Sequence, residues 1–222
     1  MLLHIPDVLN ADELARCRRG LAPADWGAGQ ATLPGGHRQL PADGPEAKEL
    51  GALVMAALTR NTTFFAGALP RHISPPQFGS HGVGPASGSR VEGAIRRDRP
   101  DGLGIPVRTD LSATLFLHDP QEYDGGEMVI EDTYGSHTVR LAAGDMILYP
   151  ASSPHRVEPV TRGERVVAVF WIQSLVRDEA QRRLLLELDV SIQNLGQAHA
   201  PQADVLRLTG IYHNLLRAWS ET

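Results

Sequence analysis

Two side chains in the second half of the chain carry the clearest chemistry: His155 and, ten residues on, Arg165, with PVTRGE between them. An imidazole can ligate a transition metal, and a guanidinium grips a carboxylate through two parallel hydrogen bonds. A metal-ligand histidine on one strand and a carboxylate-binding arginine on the next would supply both halves of an oxidative site. A lone histidine on a strand is ordinarily structural, so the pair gains weight only from what surrounds it.

The surroundings run from Arg108 to Arg165, through RTDLSATLFLHD, DGGEMVIED, LAAGDMILYP and SSPHRVEPV. Short apolar and polar runs alternate, and the breaks carry Gly, Pro or Asp, as in a β-sandwich or barrel. Ser112, Thr114 and Phe116 alternate with Leu111, Ala113, Leu115 and Leu117. Met128 and Ile130 follow a Gly125-Gly126 turn, then come Val139 and Leu141, and then Met146, Leu148 and Tyr149. RVVAVFWIQSLV at 165–176 is apolar and β-branched enough for a strand buried on both faces. Core strands are therefore expected between about residues 108 and 176.

Other elements must hold this core. Residues 2–6 read as a short strand. Asn10 reads as an N-cap with Glu13 at the capping-box position, opening a helix over 11–20. Residues 22–45 read as loop plus weak strand. Pro45 suits a first helical position, and Leu50, Val54, Ala57 and Leu58 lie on one face of a helix over 46–60. Phe64 and Phe65 are expected in the core. HISPPQF reads as a strand broken by Pro75 and Pro76, and GSHGVGPASGSRVEGAIRR has no period. Helices are expected at 177–189 and 203–220, with a linker near GQAHAPQ. Val205, Leu208, Tyr212, Leu215 and Trp219 form a stripe that docks on the core, with a dimerisation helix as the alternative.

Composition narrows the classes. A chain of 222 residues fits one domain with appended helices. A net charge of −5 with no basic stripe argues against nucleic acid, and RRDRP at 96–100 reads as a solvated loop. The single cysteine, Cys17, excludes an internal disulfide framework and a multi-cysteine zinc site, and reads as a half-buried helix residue. No basic leader or signal-length apolar run opens the chain, and LGALVMAAL at 50–58 is far short of a membrane span. The expectation is a cytoplasmic protein with no membrane partner.

RTDLSATLFLHDPQEYDGGEMVIED, GDMILYPASSPHRVEPVTRGERV and WIQSLVRDEAQRRLLLELD, from HIPDVL to YHNLLRAWSE, resemble the bacterial PKHD-type (prolyl/lysyl-hydroxylase-like) iron(II)- and 2-oxoglutarate-dependent dioxygenases. The resemblance implies a domain over 1–176 with a double-stranded β-helix (jelly-roll) core and N-terminal helices, and a helical extension over 177–222 packed on that core. It also implies Fe(II), 2-oxoglutarate, O₂ and often ascorbate, hydroxylation of a small-molecule or peptide substrate, and leaves room for a homodimer. It places His155 at the metal and Arg165 on the far carboxylate of 2-oxoglutarate.

The same resemblance exposes departures. Where the family carries His-x-Asp-Gly, this chain has Arg90, Val91, Glu92 and Gly93. Where the family has an Arg-Tyr pair and a further Tyr, it has Ser80, His81 and Ser87. Glu92 keeps a hard oxygen ligand with a longer reach. Arg90 offers donors only and cannot ligate a cation. At about 4 Å it would repel Fe(II) by on the order of a few kcal/mol or more. His81 with Glu92 and His155 would again make two nitrogens and one carboxylate, the composition of a facial triad. The plainer reading of His81 is a solvent-facing loop residue. Three outcomes stay open: a hydroxylase with a rearranged triad, a non-catalytic jelly-roll that binds a small carboxylate or a protein partner on Arg90 and Arg165, and a collapsed pocket.

Overall fold

The computed structural model describes residues 1–22, 26, 37–97 and 104–221. The N-terminal layer is β1 (Leu3–Ile5), α1 (Ala11–Leu21), β2 (His37–Gln39), α2 (Pro45–Arg60) and α3 (Thr62–Ala68). α1 starts at the expected capping box: the Asn10 side chain accepts from the Glu13 backbone, and the Glu13 carboxylate accepts from the Asn10 backbone. Pro45 opens α2, and Leu50, Val54, Ala57 and Leu58 are buried. The short α3 was not expected; Asn61 both ends α2 and caps α3 through the Phe64 N–H. Phe64 is buried, but Phe65 is 42% exposed, because a seven-residue helix buries one face only. Cys17 is fully buried rather than half-buried, under the α1–α2 layer.

The two prolines divide the next run into β3 (Pro70–Ile73) and β4 (Gln77–His81). Then come the small hairpin β5 (Ile95–Arg97) and β6 (Pro106–Arg108), followed by β7 (Leu111–Phe116), β8 (Tyr123–Gly125), β9 (Met128–Asp132), β10 (Gly135–Val139), β11 (Met146–Pro150), β12 (His155–Val157), β13 (Val160–Gly163) and β14 (Arg165–Ser174). Arg96 and Arg97 thus lie on a strand, not in the loop expected for RRDRP, whose last three residues fall outside the described residues.

One large sheet runs β1-β11-β7-β14-β4-β2, with β3 also on β14. Facing it are β10-β9-β12 and the pair β13-β8. Each of these pairings is antiparallel, so the jelly-roll expected for residues 108–176 is present, and β1 to β4 extend its main sheet. Period-two alternation sorts β14. Val166, Ala168, Phe170 and Ile172 pack into the core under the helices, while Arg165, Val167, Val169 and Trp171 face the space between the sheets. β7 does the same, with Leu111, Ala113 and Leu115 towards the helices and Thr114 towards the pocket.

The chain ends in α4 (Glu179–Gln197) and α5 (Gln202–Trp219). α4 continues eight residues past the expected stop at 189, since VSIQNLGQ contains no breaker before its last turn. Tyr212, Leu215 and Trp219 of the expected stripe pack against Leu69, Val176 and Leu185 in a small separate cluster, which Val205 and Leu208 do not join. Among the described residues, no helix is long and apolar enough to cross a membrane.

Candidate functional site

The two sheets enclose a pocket of about 510 Å³. Its inner end is built on Arg165, the first residue of β14. This side chain is 2% exposed, and its guanidinium carbon lies 5.2 Å from the centre of the Phe116 ring. The backbone at Gly126 makes room for it: a Cβ there would stand 3.3 Å from the Arg165 Cδ. Gly125 and Gly126 turn with φ of 71° and 68°, and a Cβ on Gly125 would strike the Pro159 carbonyl at 2.0 Å.

Burial works against the Arg165 charge, and its favourable neighbours are the Tyr123 and Tyr149 hydroxyls rather than a carboxylate. The Arg165 Nε and the Tyr123 hydroxyl are buried without hydrogen-bond partners. A buried cation in that state is costly unless something completes it.

His155 lies in the same pocket, 2% exposed, on β12. Its Nδ1 donates to the Ser153 carbonyl at 3.1 Å, and its ring meets Tyr149 edge-on at 5.4 Å. That leaves Nε2 directed at Glu92, whose Oε1 is 3.3 Å away. The far side of the Glu92 carboxylate is held by Arg96 at 2.6 Å, and the Arg96 guanidinium stacks 3.7 Å over Trp171. Burial pushes the Glu92 carboxyl up, but the His155 and Arg96 contacts together hold it below the usual carboxylate range.

The substituted segment is fastened to β12 and β13 rather than left loose. Gly84 donates to Val160, Ser87 to Val157, and Arg90 and His155 exchange both backbone hydrogen bonds at 2.9 Å. Arg90 is exposed at the pocket wall, and its charge acts on His37, His81, Tyr149 and Arg165. The expected positions 90, 92, 155 and 165 therefore do converge on one cavity.

His81 is neither of the things expected of it. It is 7% exposed on β4, opposite Arg165 in register, so it is not a solvent-facing loop residue. Its Nε2 sits 3.0 Å from Nδ1 of His37 on the adjacent β2, and the rings tilt against each other at 4.3 Å. Burial first, then the Arg165 charge, drives the His81 pKa down to about 2, and His37 shifts in the same direction. Among the described residues, no three His, Cys, Asp or Glu side chains are grouped to hold a metal ion. The triad of His81, Glu92 and His155 is thus not assembled, because His81 is turned into its contact with His37.

Sequence reading missed His37, Arg96 and Trp171. The alternation of β14 carries a signal for Trp171, which shares the face of Arg165. His37 follows a Gly/Pro-rich stretch with no period, and nothing local marks it.

The 2OG-Fe(II) oxygenase superfamily profile matches residues 98–173, and the PKHD-type hydroxylase C-terminal domain matches 179–221. The first match begins beyond Arg90 and Glu92. Over 229 aligned positions the chain is 53% identical to the PKHD-type hydroxylase of Xanthomonas campestris pv. campestris (strain B100), with all of both chains covered. It is 53% identical over 228 positions to that of Caulobacter sp. (strain K31), again at full coverage. A 2OG-Fe(II) oxygenase family oxidoreductase from Burkholderia pseudomallei shares the fold, with a TM-score of 0.54 and 21% identity over 77% of this chain and 82% of that one. So does an alpha-ketoglutarate-dependent carbocyclase of nogalamycin biosynthesis, with a TM-score of 0.58 and 14% identity over 79% and 80% of the two chains. With a jelly-roll whose pocket carries His155 and Arg165, and with these full-length relatives, the chain belongs to the PKHD-type hydroxylase family of 2OG-Fe(II) oxygenases.

Proposed function

We propose that this chain keeps its family's 2-oxoglutarate cradle and has lost the iron centre, so that it binds the organic acid without hydroxylating a substrate. Iron(II) and 2-oxoglutarate are the cofactors of the family, and the two fit this pocket unequally. A carboxylate suits Arg165, which lines the pocket and whose buried Nε lacks a partner. Arg165 would hold the far end of 2-oxoglutarate.

Iron is not matched by the donor set. Glu92 and His155, 3.3 Å apart, have a separation that two neighbouring ligands on one ion can adopt. The third ligand is missing, and Arg90 stands at its position in the chain. A guanidinium cannot donate a lone pair to a cation, and Arg90 adds positive charge to the pocket that holds Glu92 and His155. The observation that carries the reading is this substitution within an otherwise formed pocket: Glu92 turned onto His155 and Arg96, with no third His or carboxylate beside them among the described residues. A rearranged triad through His81 has no support, since that imidazole is engaged with His37.

Turnover tests it. Purified protein is supplied with Fe(II), 2-oxoglutarate, ascorbate and O₂, and succinate is measured. The expected result is succinate at the no-enzyme background. Steady enzymatic conversion of 2-oxoglutarate to succinate overturns the proposal.

A further inference from the structure

The pocket contains more positive charge than its own carboxylate balances. Three arginines line it, Arg90, Arg96 and Arg165, against the single carboxylate of Glu92. Arg96 and Glu92 neutralise one another at 2.6 Å, and the stack on Trp171 fixes that pair. His37 and His81 add no charge, because burial holds both below the ordinary histidine value. The Tyr123 and Tyr149 hydroxyls are pushed up by burial and stay protonated. Two cations therefore remain, one at each depth of the cavity.

The inner cation is Arg165, enclosed and with its Nε unpartnered. The outer one is Arg90, whose backbone is locked to His155 and whose side chain has no hydrogen-bond or ion-pair partner among the described residues. Its charge reaches groups on four strands, β2, β4, β11 and β14, and it lowers the pKa of Arg165. Two like charges sharing one pocket repel, and a ligand with a negative group at each end relieves both. Met128, Val157 and Val167 add an apolar wall to the same pocket. A short methylene chain suits that wall, and planar guanidinium forks suit carboxylates.

We propose that Arg90 replaces the metal as the second anchor, so that the pocket takes a dicarboxylate of the 2-oxoglutarate class, with one carboxylate on Arg165 and the other on Arg90, and without any metal ion. This rests on the reading above of a cradle without iron. It names what holds the end of the ligand that the family leaves to the metal.

Calorimetry on protein stripped with EDTA tests it, using 2-oxoglutarate, glutarate and the monocarboxylate pentanoate as probes. Both dicarboxylates bind the stripped wild-type protein. Arg90→Gln, at an exposed position, weakens glutarate by at least about tenfold, the loss of a charge-assisted contact. It changes pentanoate, which has only the Arg165 contact, by less than about twofold, and Arg90→Lys falls between. Equal glutarate affinity in wild type and Arg90→Gln overturns the inference while leaving the cradle at Arg165 intact. Dicarboxylate binding that appears only when Fe(II) is added overturns it too. No binding of any probe to the wild type, with or without Fe(II), overturns the cradle itself.

Discussion

Glu92 Oε1 and His155 Nε2 stand 3.3 Å apart, and Arg96 closes on the same carboxylate from the other side at 2.6 Å. Two residues at ligand positions of an iron family therefore satisfy each other. Together with the backbone exchange between Arg90 and His155, these contacts tether the segment before β5 to β12. The pocket stays open at about 510 Å³ and is not collapsed.

Arg165 is expected to trade stability for binding. A buried guanidinium with no carboxylate partner destabilises the empty protein. Arg165→Met fills the same space with an apolar chain, so the ligand-free variant should gain at least about 1 kcal/mol in urea unfolding. It should also bind 2-oxoglutarate at least about tenfold more weakly. A variant that binds as well as the wild type would remove Arg165 from the ligand site.

The His37–His81 pair sets an acid limit on stability. The folded-state pKa of His81 is depressed from 6.5 to about 2, so the group stabilises above its unfolded value, and that contribution is lost as pH falls. Below pH 6.5 the unfolded chain takes up a proton that the folded one refuses. Between pH 6.5 and 5 this costs about 1.5 kcal/mol by linkage, with His37 acting in the same sense. Urea midpoints for wild type and His81→Gln over that range check it: the variant should lose less stability than the wild type by about that amount. Parallel curves would mean that His81 titrates normally in the folded state.

Much of this fold was legible because its signals are local. The Asn10–Glu13 box, Pro45 at a helix start and the Pro75-Pro76 break each act within a few residues. The strands past Arg108 follow a period of two. α3 was missed because a seven-residue helix has too few turns to show a period, and Phe65 was misjudged with it. In the site, Arg90, Glu92, His155 and Arg165 were found through resemblance and do meet in one pocket. The direction of His81 was not legible, since it depends on His37, 44 positions away across a sheet edge. Arg96 was misread because the stack that fixes it, on Trp171, is made by the fold across distant segments, although its carboxylate partner Glu92 lies only four residues before it.

Iron content tests the central claim most directly. The protein is reconstituted anaerobically with Fe(II) at neutral pH, desalted and assayed for bound metal, alongside the variant Arg90→His with Glu92→Asp. The wild type is expected to hold far less than one equivalent of iron. The double variant is expected to bind iron at least about tenfold more tightly, since losing even an outer-shell partner of a metal ligand costs that much. One equivalent of tightly held iron on the wild type would contradict the central claim.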